Sequence, residues 1–305
     1  MSRKNPYIDA VVVTYNRLTK LKSCIEAINA QSLAVRTIHV VDNNSTDGTR
    51  EWLLENAKEL NITAHLLDHN GGGAGGFNAG IRAACDVGAD WIWVMDDDVY
   101  PKSDCLKAVV NSPFFVQHTK EIRNIGFLSS RVEWIDGKVC LMNIPVSKWP
   151  PNGAFHEAPS ALPCLSNSFV SCFITREGVE RVGLPVKEFF IWYDDTEYTR
   201  RLSYNFECYY LDNSVVIHDT PNNNLPDYSQ VTYQNLWKYK CDIRNVAAFE
   251  SSVGRRTDKL IALRYVLKNS WMAYRASKNF NIYRILLFSG LKGIFWQYKK
   301  LIEYI

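Results

Sequence analysis

The stretch "WIWVMDDDVYP", Trp91–Pro101, runs from an apolar string straight into three consecutive aspartates. A short apolar run bounded by such a cluster reads as a buried strand, Trp91–Met95, that stops where a sheet edge opens. Carboxylates packed this tightly repel one another. Asp96 and Asp98 leave an extended chain in similar directions, with Asp97 between them pointing elsewhere. A hard divalent cation, Mn²⁺ or Mg²⁺, with the diphosphate it carries, would relieve the repulsion between Asp96 and Asp98. The plainer alternative is a solvated loop after a strand, and the fully apolar strand before it weighs against that.

Upstream, strand and helix signals alternate. Ile8–Thr14 is a β-rich run, and Leu18, Leu21, Ile25 and Ile28 follow at helical spacing. Thr37–Asp42 predicts a second strand, and "NNSTDGT" offers Ser and Thr caps to a helix near Arg50–Lys58. Ala64–Asp68 predicts a third strand, followed by a glycine-rich turn and a helix near Phe77–Val87. Such alternation predicts an α/β fold, with a parallel sheet here and helices on both of its faces. Ligands of such sheets bind beyond the carboxyl ends of the strands. Asp42, the glycine turn and Asp96–Asp98 all fall on that edge.

The glycine run, "NGGGAGGFNAG" (Asn70–Gly80), contains a literal G-x-G-x-x-G at Gly71, Gly73 and Gly76. It follows a strand, opens a helix and has acids about twenty residues on, so a nicotinamide-dependent oxidoreductase is a real rival. Against it, that fingerprint belongs in the first βα unit, which here reads "VVVTYNRLTK" without glycine. Glycines also let a backbone approach a nucleotide or sugar closely, with N–H groups free for its oxygens. A plain flexible turn would need fewer of them.

Downstream, Asn143–Pro163 is a Pro-rich polar loop of the kind that forms lids or binding segments. Ser168–Thr175 predicts a buried strand, "REGVERVGLP" a short helix ended by Gly183, and Cys208–Asp219 a late strand ending near His218. A lone His at a strand end is ordinarily a core or surface residue. In "FFIWYDDTEYTRR" (Phe189–Arg201) two acids stand among aromatics. Acids at a helix start favour the positive dipole end. Flanking aromatics would also raise a carboxylate's pKa, as suits a general base.

The 305 residues are 47% hydrophobic, enough for one or two domains. Eight cysteines show no C-x-x-C and no zinc spacing, and read as reduced core residues of a cytoplasmic protein. The first apolar run is too short for a signal peptide, and no window of ~18 apolar residues predicts a spanning helix. Charge is uneven. Residues 255–305 carry eleven Lys/Arg and two Asp/Glu, a net of +9, which leaves −6 for the rest of a chain at +3. Tyr283, Leu286, Leu287, Gly290, Leu291, Ile294, Phe295, Tyr298, Leu301, Ile302 and Ile305 form an amphipathic helical stripe there. A basic excess on such a tail, with no recognition module, argues against nucleic acid.

Together "VVVTYNR", "VVDNNSTDGT", "WIWVMDDDVYP" and "GLPVKEFFIWYDDTEYTRRL" resemble the large inverting family-2 glycosyltransferases of the GT-A fold, over roughly Ile8–His218. "HNGGGAGGFNAG", the triple aspartate and the aromatic-D-D-x-E look most like the bacterial galactofuranosyltransferases; rhamnosyltransferases using dTDP-rhamnose share much of the pattern. The resemblance implies a Rossmann-like mixed sheet with helices on both faces. It would form a catalytic domain over residues 1–225, followed by a C-terminal helical region, 226–305. It implies a nucleotide-sugar donor, UDP-galactofuranose first, held by Thr14, Asn16, Arg17, Asp42, Asn70, Gly72, Gly73, Asp96 and Asp97. It implies Mn²⁺ or Mg²⁺ on Asp96 and Asp98, completed by His218, and a base at Asp195, with Asp194 in reserve. One departure is that the familiar tryptophan-D-D reads "WYDD", with Tyr193 inserted. Trp192 and Tyr193 would shape the acceptor site. The implied acceptor is a cell-surface polysaccharide such as O-antigen, or a lipid-linked glycan at the inner face of a bacterial membrane. The basic, aromatic tail fits peripheral membrane association there. Packing on the catalytic domain and pairing in a homo-oligomer are equally physical uses for it. A glycan- or lipid-binding protein without catalysis is the third class.

Overall fold

The computed structural model describes residues 6–148, 161–253 and 257–296. Its centre is one sheet. Four parallel strands, β1 (Ile8–Thr14), β2 (Ile38–Asp42), β3 (Ile62–Leu66) and β4 (Trp91–Asp96), alternate with α1 (Leu18–Asn29), α2 (Thr49–Asn56) and α3 (Gly72–Asp86). After β4 come the short β5 (Val99–Pro101), α4 (Cys105–Val110), α5 (Pro113–Thr119) and β6 (Ile125–Trp134). Then follow β7 (Val146–Ser147), β8 (Ala161–Ser166), β9 (Cys172–Thr175), α6 (Arg176–Val182), α7 (Asp194–Asn205) and β10 (Glu207–His218). The strand order is β3-β2-β1-β4-β9-β6-β10-β8-β7, with β5 paired to β10. β9 runs antiparallel to both β4 and β6, so the sheet is mixed beyond its first four strands.

Register places the site. Thr14 stands beside Asp42, and Val13 beside Asp96, so the last residues of β1, β2 and β4 share one carboxyl edge. The chain turns back at the aspartates into β5, where Val99 pairs with His218 of β10. That pairing brings a histidine from far along the chain to the aspartates.

Two apolar layers cover the sheet. Val12, Val40, Trp91, Trp93 and Leu128 pack on one face under α1, α2, α4 and α5. Val11, Val13, Val41, Ile92 and Val94 pack on the other with Phe77 and Ile81 of α3 and Leu202 of α7. Beyond β10, α8 (Leu236–Glu250), α9 (Asp258–Ser277) and α10 (Phe280–Phe295) enclose their own core of Ile243, Ala247, Ala262, Val266 and Leu286. Phe189 and Phe249 join this unit to the sheet domain, with Tyr193 and Trp296 packed against them. All eight cysteines are free, and six are buried. Among the described residues, no helix is long and apolar enough to cross a membrane.

Several elements differ from expectation. β3 begins at Ile62 rather than Ala64, because its pairing with β2 starts opposite Ile38. α3 begins at Gly72, so most of the glycine run is helix rather than turn. The reason is close packing: a Cβ on Gly76 would collide with Val13, and one on Gly80 with Val11. Ala161–Pro163, expected in a loop, belongs to β8, while residues 149–160 of that loop lie outside the described residues. Ser168–Ser171, expected as strand, is a turn with Ser171 at φ 60°. In the C-terminal stripe Leu286, Gly290 and Ile294 are buried, but Phe295 is exposed; Tyr298, Leu301, Ile302 and Ile305 lie outside the described residues.

Candidate active site

A cavity of about 680 Å³ opens at the carboxyl edge of β1 and β4. Its walls bring together Thr14, Arg17, Asn70, Gly72, Gly73, Asp96, Asp97, Asp98, Trp192, Asp194, Asp195 and His218. These residues come from turns spread across two thirds of the chain.

The aspartates divide the work. Asp97 turns inward, accepting a hydrogen bond from Thr14 Oγ1 at 2.7 Å and another from Arg17 Nη1 at 3.2 Å. Arg17 also reaches Asp98 Oδ2 at 2.8 Å. Asp98 Oδ1 lies 3.3 Å from His218 Nε2. The other ring nitrogen of His218, Nδ1, sits 2.8 Å from Asn143 Oδ1, which fixes the ring so that Nε2 faces the aspartates. One ligand atom each from Asp96, Asp98 and His218 lies within 4.8 Å of the others.

The electrostatics of this cluster suit a cation. Burial first, and the charge of Asp98 second, push the Asp96 carboxyl up to about 7. Burial likewise pushes Asp97 up to about 6, against the pull of Arg17. Asp98 is held below the usual carboxylate range by His218 and Arg17, which outweigh its burial. His218 is pushed up to about 9, its bond to Asp98 overcoming desolvation. Two carboxylate oxygens and one imidazole nitrogen at this spacing are a donor set that a borderline-hard divalent metal accepts.

The start of α7 lines the same cavity. Burial raises both Asp194 and Asp195; the neighbouring Asp195 charge adds to the rise at Asp194, while the Thr196 N–H opposes it at Asp195. That N–H donates to Asp195 Oδ1 at 2.6 Å. The lead-in is held in an unusual backbone, with Phe190, Trp192 and Tyr193 at φ 67°, 63° and 70°. Left-handed geometry at bulky residues costs of order 1–3 kcal/mol each and persists only where neighbours impose it. Ala74 N–H donates to the Phe190 carbonyl at 3.1 Å, and Asn245 donates to Phe189, Ile191 and Trp192 carbonyls. Behind the acids, Glu197 and Arg201 form a fully buried ion pair that locks α7.

Not every expected residue reaches the cavity. Asn16 and Asp42 do not line it. Asn16 Oδ1 accepts from Thr46 N–H at 2.7 Å, and Asp42 accepts from Ser45 N–H and from Arg50. Both shape turns behind the wall. Asn43 lines the cavity instead, with its buried Oδ1 unpartnered. Tyr193 is turned away, its ring packed 5.4 Å from that of Phe249. The inserted residue thus fills the domain junction and leaves Trp192 to face the cavity. Tyr15, Phe169, Trp237 and Lys238 also line it, and sequence spacing gave no signal for them. Asn143 stands 75 residues before its partner His218, beyond the reach of any local pattern.

Comparisons with known proteins agree with this geometry. Residues 9–112 match the family model "Glycosyl transferase family 2". The chain is 27% identical over 208 residues to galactofuranosyltransferase GlfT1 of Mycolicibacterium smegmatis, covering 63% of this chain and 64% of that one. It is 26% identical over 221 residues to dTDP-rhamnosyl transferase RfbF of Shigella flexneri, covering 70% and 69%. The chain thus spans just under two thirds of the length of GlfT1. Among solved structures, GalNAc-T7 with UDP, GalNAc and Mn²⁺ superposes with a TM-score of 0.63 at 13% identity, over 96% of this chain and 56% of that one. S. aureus TarS 1–349 in complex with UDP superposes with a TM-score of 0.56 at 16% identity, over 95% and 93%. The glycines that resemble a dinucleotide fingerprint follow β3 rather than β1, and one of them, Gly76, lets α3 pack against Val13 of β1. Residues 9–112, which carry the parallel strands and the acidic edge, are similar to glycosyl transferase family 2, and the mixed sheet is of the GT-A type.

Proposed function

We propose that the protein is a metal-dependent, inverting hexosyltransferase that moves galactofuranose from UDP-galactofuranose to a hydroxyl of a membrane-borne or cell-surface glycan. The observation that carries this reading is the meeting of two acidic groups in one cavity: Asp96 and Asp98 with His218, and Asp194 with Asp195.

Asp96, Asp98 and His218 would hold Mn²⁺ or Mg²⁺, which when bound supplies Lewis-acid stabilisation to a departing diphosphate. Thr14 and Arg17 brace Asp97, and Arg17 adds a fixed positive charge beside the same edge. Asn70 Oδ1 accepts from Gly72 N–H at 2.8 Å and shapes the turn over which a nucleotide would lie. Asp195 acts as base, taking the proton of the acceptor hydroxyl as that oxygen attacks the anomeric carbon. It is the more open of the two acids, since Asp194 is only 7% exposed. Its raised pKa brings it nearer a working pH, where proton transfer is most effective. A single attack from the face opposite the leaving group inverts the anomeric centre. Trp192, facing the cavity beside these acids, offers an aromatic plane to the acceptor sugar.

The longer alignment with a dTDP-rhamnosyl transferase favours a second reading, in which dTDP-rhamnose is the donor. A donor screen that measures released nucleotide in the presence of a lipid-linked acceptor mimic separates the two. UDP release that needs Mn²⁺ or Mg²⁺ and stops with EDTA is expected. Release from dTDP-rhamnose alone would overturn the galactofuranose reading, and release from neither would overturn both.

A further inference from the structure

Away from the donor cavity, α10 shows solvent a face of mixed character. Beyond Phe280 at its start, its exposed residues are Asn281, Arg284, Ile285, Phe288, Lys292 and Phe295. Their spacing of three and four residues places them on one side of the helix. The other side, with Ile282, Leu286, Gly290 and Ile294, is buried in the helical unit. α10 contains no Asp or Glu. On α9, Leu260, Arg264, Leu267, Lys268, Trp271 and Arg275 repeat the alternation of cations and large apolar groups on an exposed face.

A groove of about 400 Å³ runs between α10 and α8, lined by the cations Lys240, Arg284 and Lys292 and by the apolar Ile285 and Phe288. Ser289 Oγ donates to the Lys240 carbonyl at 2.9 Å and ties α10 to α8 beside the groove. Among the described residues, none of these three cations has an acidic partner. That contrasts with Arg36, Arg50 and Arg201, each paired with a carboxylate. Phe288 is 56% exposed at the centre of the charges.

Three unpaired cations beside two exposed apolar side chains ask for an anion joined to something apolar. We infer that this groove seats the phosphate of an anionic membrane lipid, with Phe288 and Ile285 lying in the interface among the acyl chains. The inference rests on the reading of a membrane-borne acceptor given above. Lys and Arg side chains reach headgroup phosphates while their stems stay on apolar surface. A free phosphate would satisfy the cations and leave Phe288 in water. A second copy meeting this face by two-fold symmetry would set like charges together, with no carboxylate on α10 to relieve them. The position also serves the site. Lys240 follows Trp237 and Lys238 on α8 by less than one turn, and both of those line the donor cavity. A lipid held in the groove keeps the cavity mouth beside acceptors carried in the same membrane.

The test is co-sedimentation of the full chain with phosphatidylcholine vesicles, with and without phosphatidylglycerol. Binding only to the mixed vesicles, weakening with salt, is expected. Each of Lys240→Gln, Arg284→Gln and Lys292→Gln should weaken it about fivefold. Phe288→Ser should weaken it as well, with the circular dichroism of every variant unchanged. Equal sedimentation of wild type and the K240Q/R284Q/K292Q variant would overturn the inference, as would binding indifferent to phosphatidylglycerol. A dimer in solution that Phe288→Ser dissolves, without vesicle binding, would give the face to a second copy and overturn it. Thermal stabilisation by inorganic phosphate without vesicle binding would do the same. UDP and Mn²⁺ binding on the same preparations keeps the two readings apart. Nucleotide binding without sedimentation sinks the docking site alone, and phosphatidylglycerol-dependent sedimentation without nucleotide binding sinks the transferase alone.

Discussion

Asn245 Nδ2 lies 2.8 Å from the Trp192 carbonyl oxygen, although the two residues are 53 positions apart and belong to different layers of the protein. The same amide reaches the carbonyls of Phe189 at 3.0 Å and Ile191 at 3.2 Å. Asn245 is fully buried on α8, so a C-terminal helix holds the strained lead-in to Asp194 and Asp195. Replacing it with Ala would take this donor from the part-buried Ile191 and Trp192 carbonyls, while Phe189 would keep Arg244 Nη2 and the Ile191 N–H, at a cost of about 1–3 kcal/mol. The acids would also lose their imposed position, and misplacement of about 1 Å can cost ~10²-fold in rate. Asn245→Ala should therefore lower kcat by one to two orders of magnitude while UDP binding, followed by calorimetry, changes little. Equal losses in kcat and in UDP binding would mean that the residue supports the whole cavity and not the acids.

Asp195→Asn should abolish most turnover, by about 10²–10⁴-fold for a general base, and spare the thermal stabilisation given by UDP with Mn²⁺. Near wild-type transfer by that variant would move the role to Asp194. The wild-type rate should fall on the acid side at a pH above the ordinary carboxylate range, because burial raises Asp195. A pH–rate profile of kcat breaking at or below about 4 would remove Asp195 as the base.

Asp194 makes a stability prediction of definite sign. Its folded-state pKa is raised above 3.8, chiefly by burial and then by Asp195. The native state therefore holds the proton more tightly than the unfolded chain does. The protonated acid costs the fold nothing below pH 3.8, and stability is lost as pH rises from there through the raised value. At neutral pH the charge is a burden that Asn lacks. Asp194→Asn should raise Tm at pH 7 and leave it unchanged at pH 4, as scanning calorimetry would read. A lowered Tm at pH 7 would mean that the carboxylate is stabilised by a group outside this account.

His218 depends on Asn143, whose Oδ1 lies 2.8 Å from its Nδ1. Loss of a partner that orients a metal-bound histidine typically costs about 10–100-fold in metal affinity. Asn143→Ala should weaken Mn²⁺ binding by that factor with nucleotide absent, and Asp96→Asn should abolish it. Asp96→Asn should also stabilise the metal-free protein at pH 7, since burial and Asp98 disfavour its charge. Unchanged Mn²⁺ affinity in Asp96→Asn would dissolve the proposed metal site.

What could be read in the sequence was what local pattern controls. β1, β2 and β4 are near-continuous apolar runs, and their ends fall on one edge because parallel strands with helical crossovers leave no other choice. Asp96 and Asp98 share one turn, so their convergence is local. What escaped was long-range or steric. The orientation of His218 by Asn143, the clamp of Asn245 on Trp192 and the wall formed by Trp237 and Lys238 depend on packing between distant segments. Tyr193 and Trp192 are adjacent and both aromatic, and only the left-handed backbone sends one to the junction and the other to the cavity. The glycine run misled for a related reason. Glycine is a poor helix former, but here the helix needs its missing Cβ.

Three glycines of α3, Gly73, Gly75 and Gly76, therefore differ in kind, and substitution should sort them. A Cβ on Gly76 would collide with Val13 and stand 3.0 Å from Asn43 Nδ2, so Gly76→Ala overpacks the junction of helix and sheet. Such strain costs about 1–3 kcal/mol, or roughly 1.5 °C of Tm for each kcal/mol in a chain of 305 residues. A Cβ on Gly75 would meet nothing within 4 Å, and Gly75 does not line the cavity. Gly75→Ala should stabilise the helix by about 0.5–1 kcal/mol and leave kinetics alone. Gly73 is equally open but lines the cavity. Gly73→Ala should gain the same stability and raise the donor KM severalfold, because the added methyl stands where a nucleotide would approach the backbone. A Gly73→Ala enzyme with unchanged donor KM would mean that the nucleotide does not lie over the start of α3, and the donor site would have to be drawn elsewhere in the cavity.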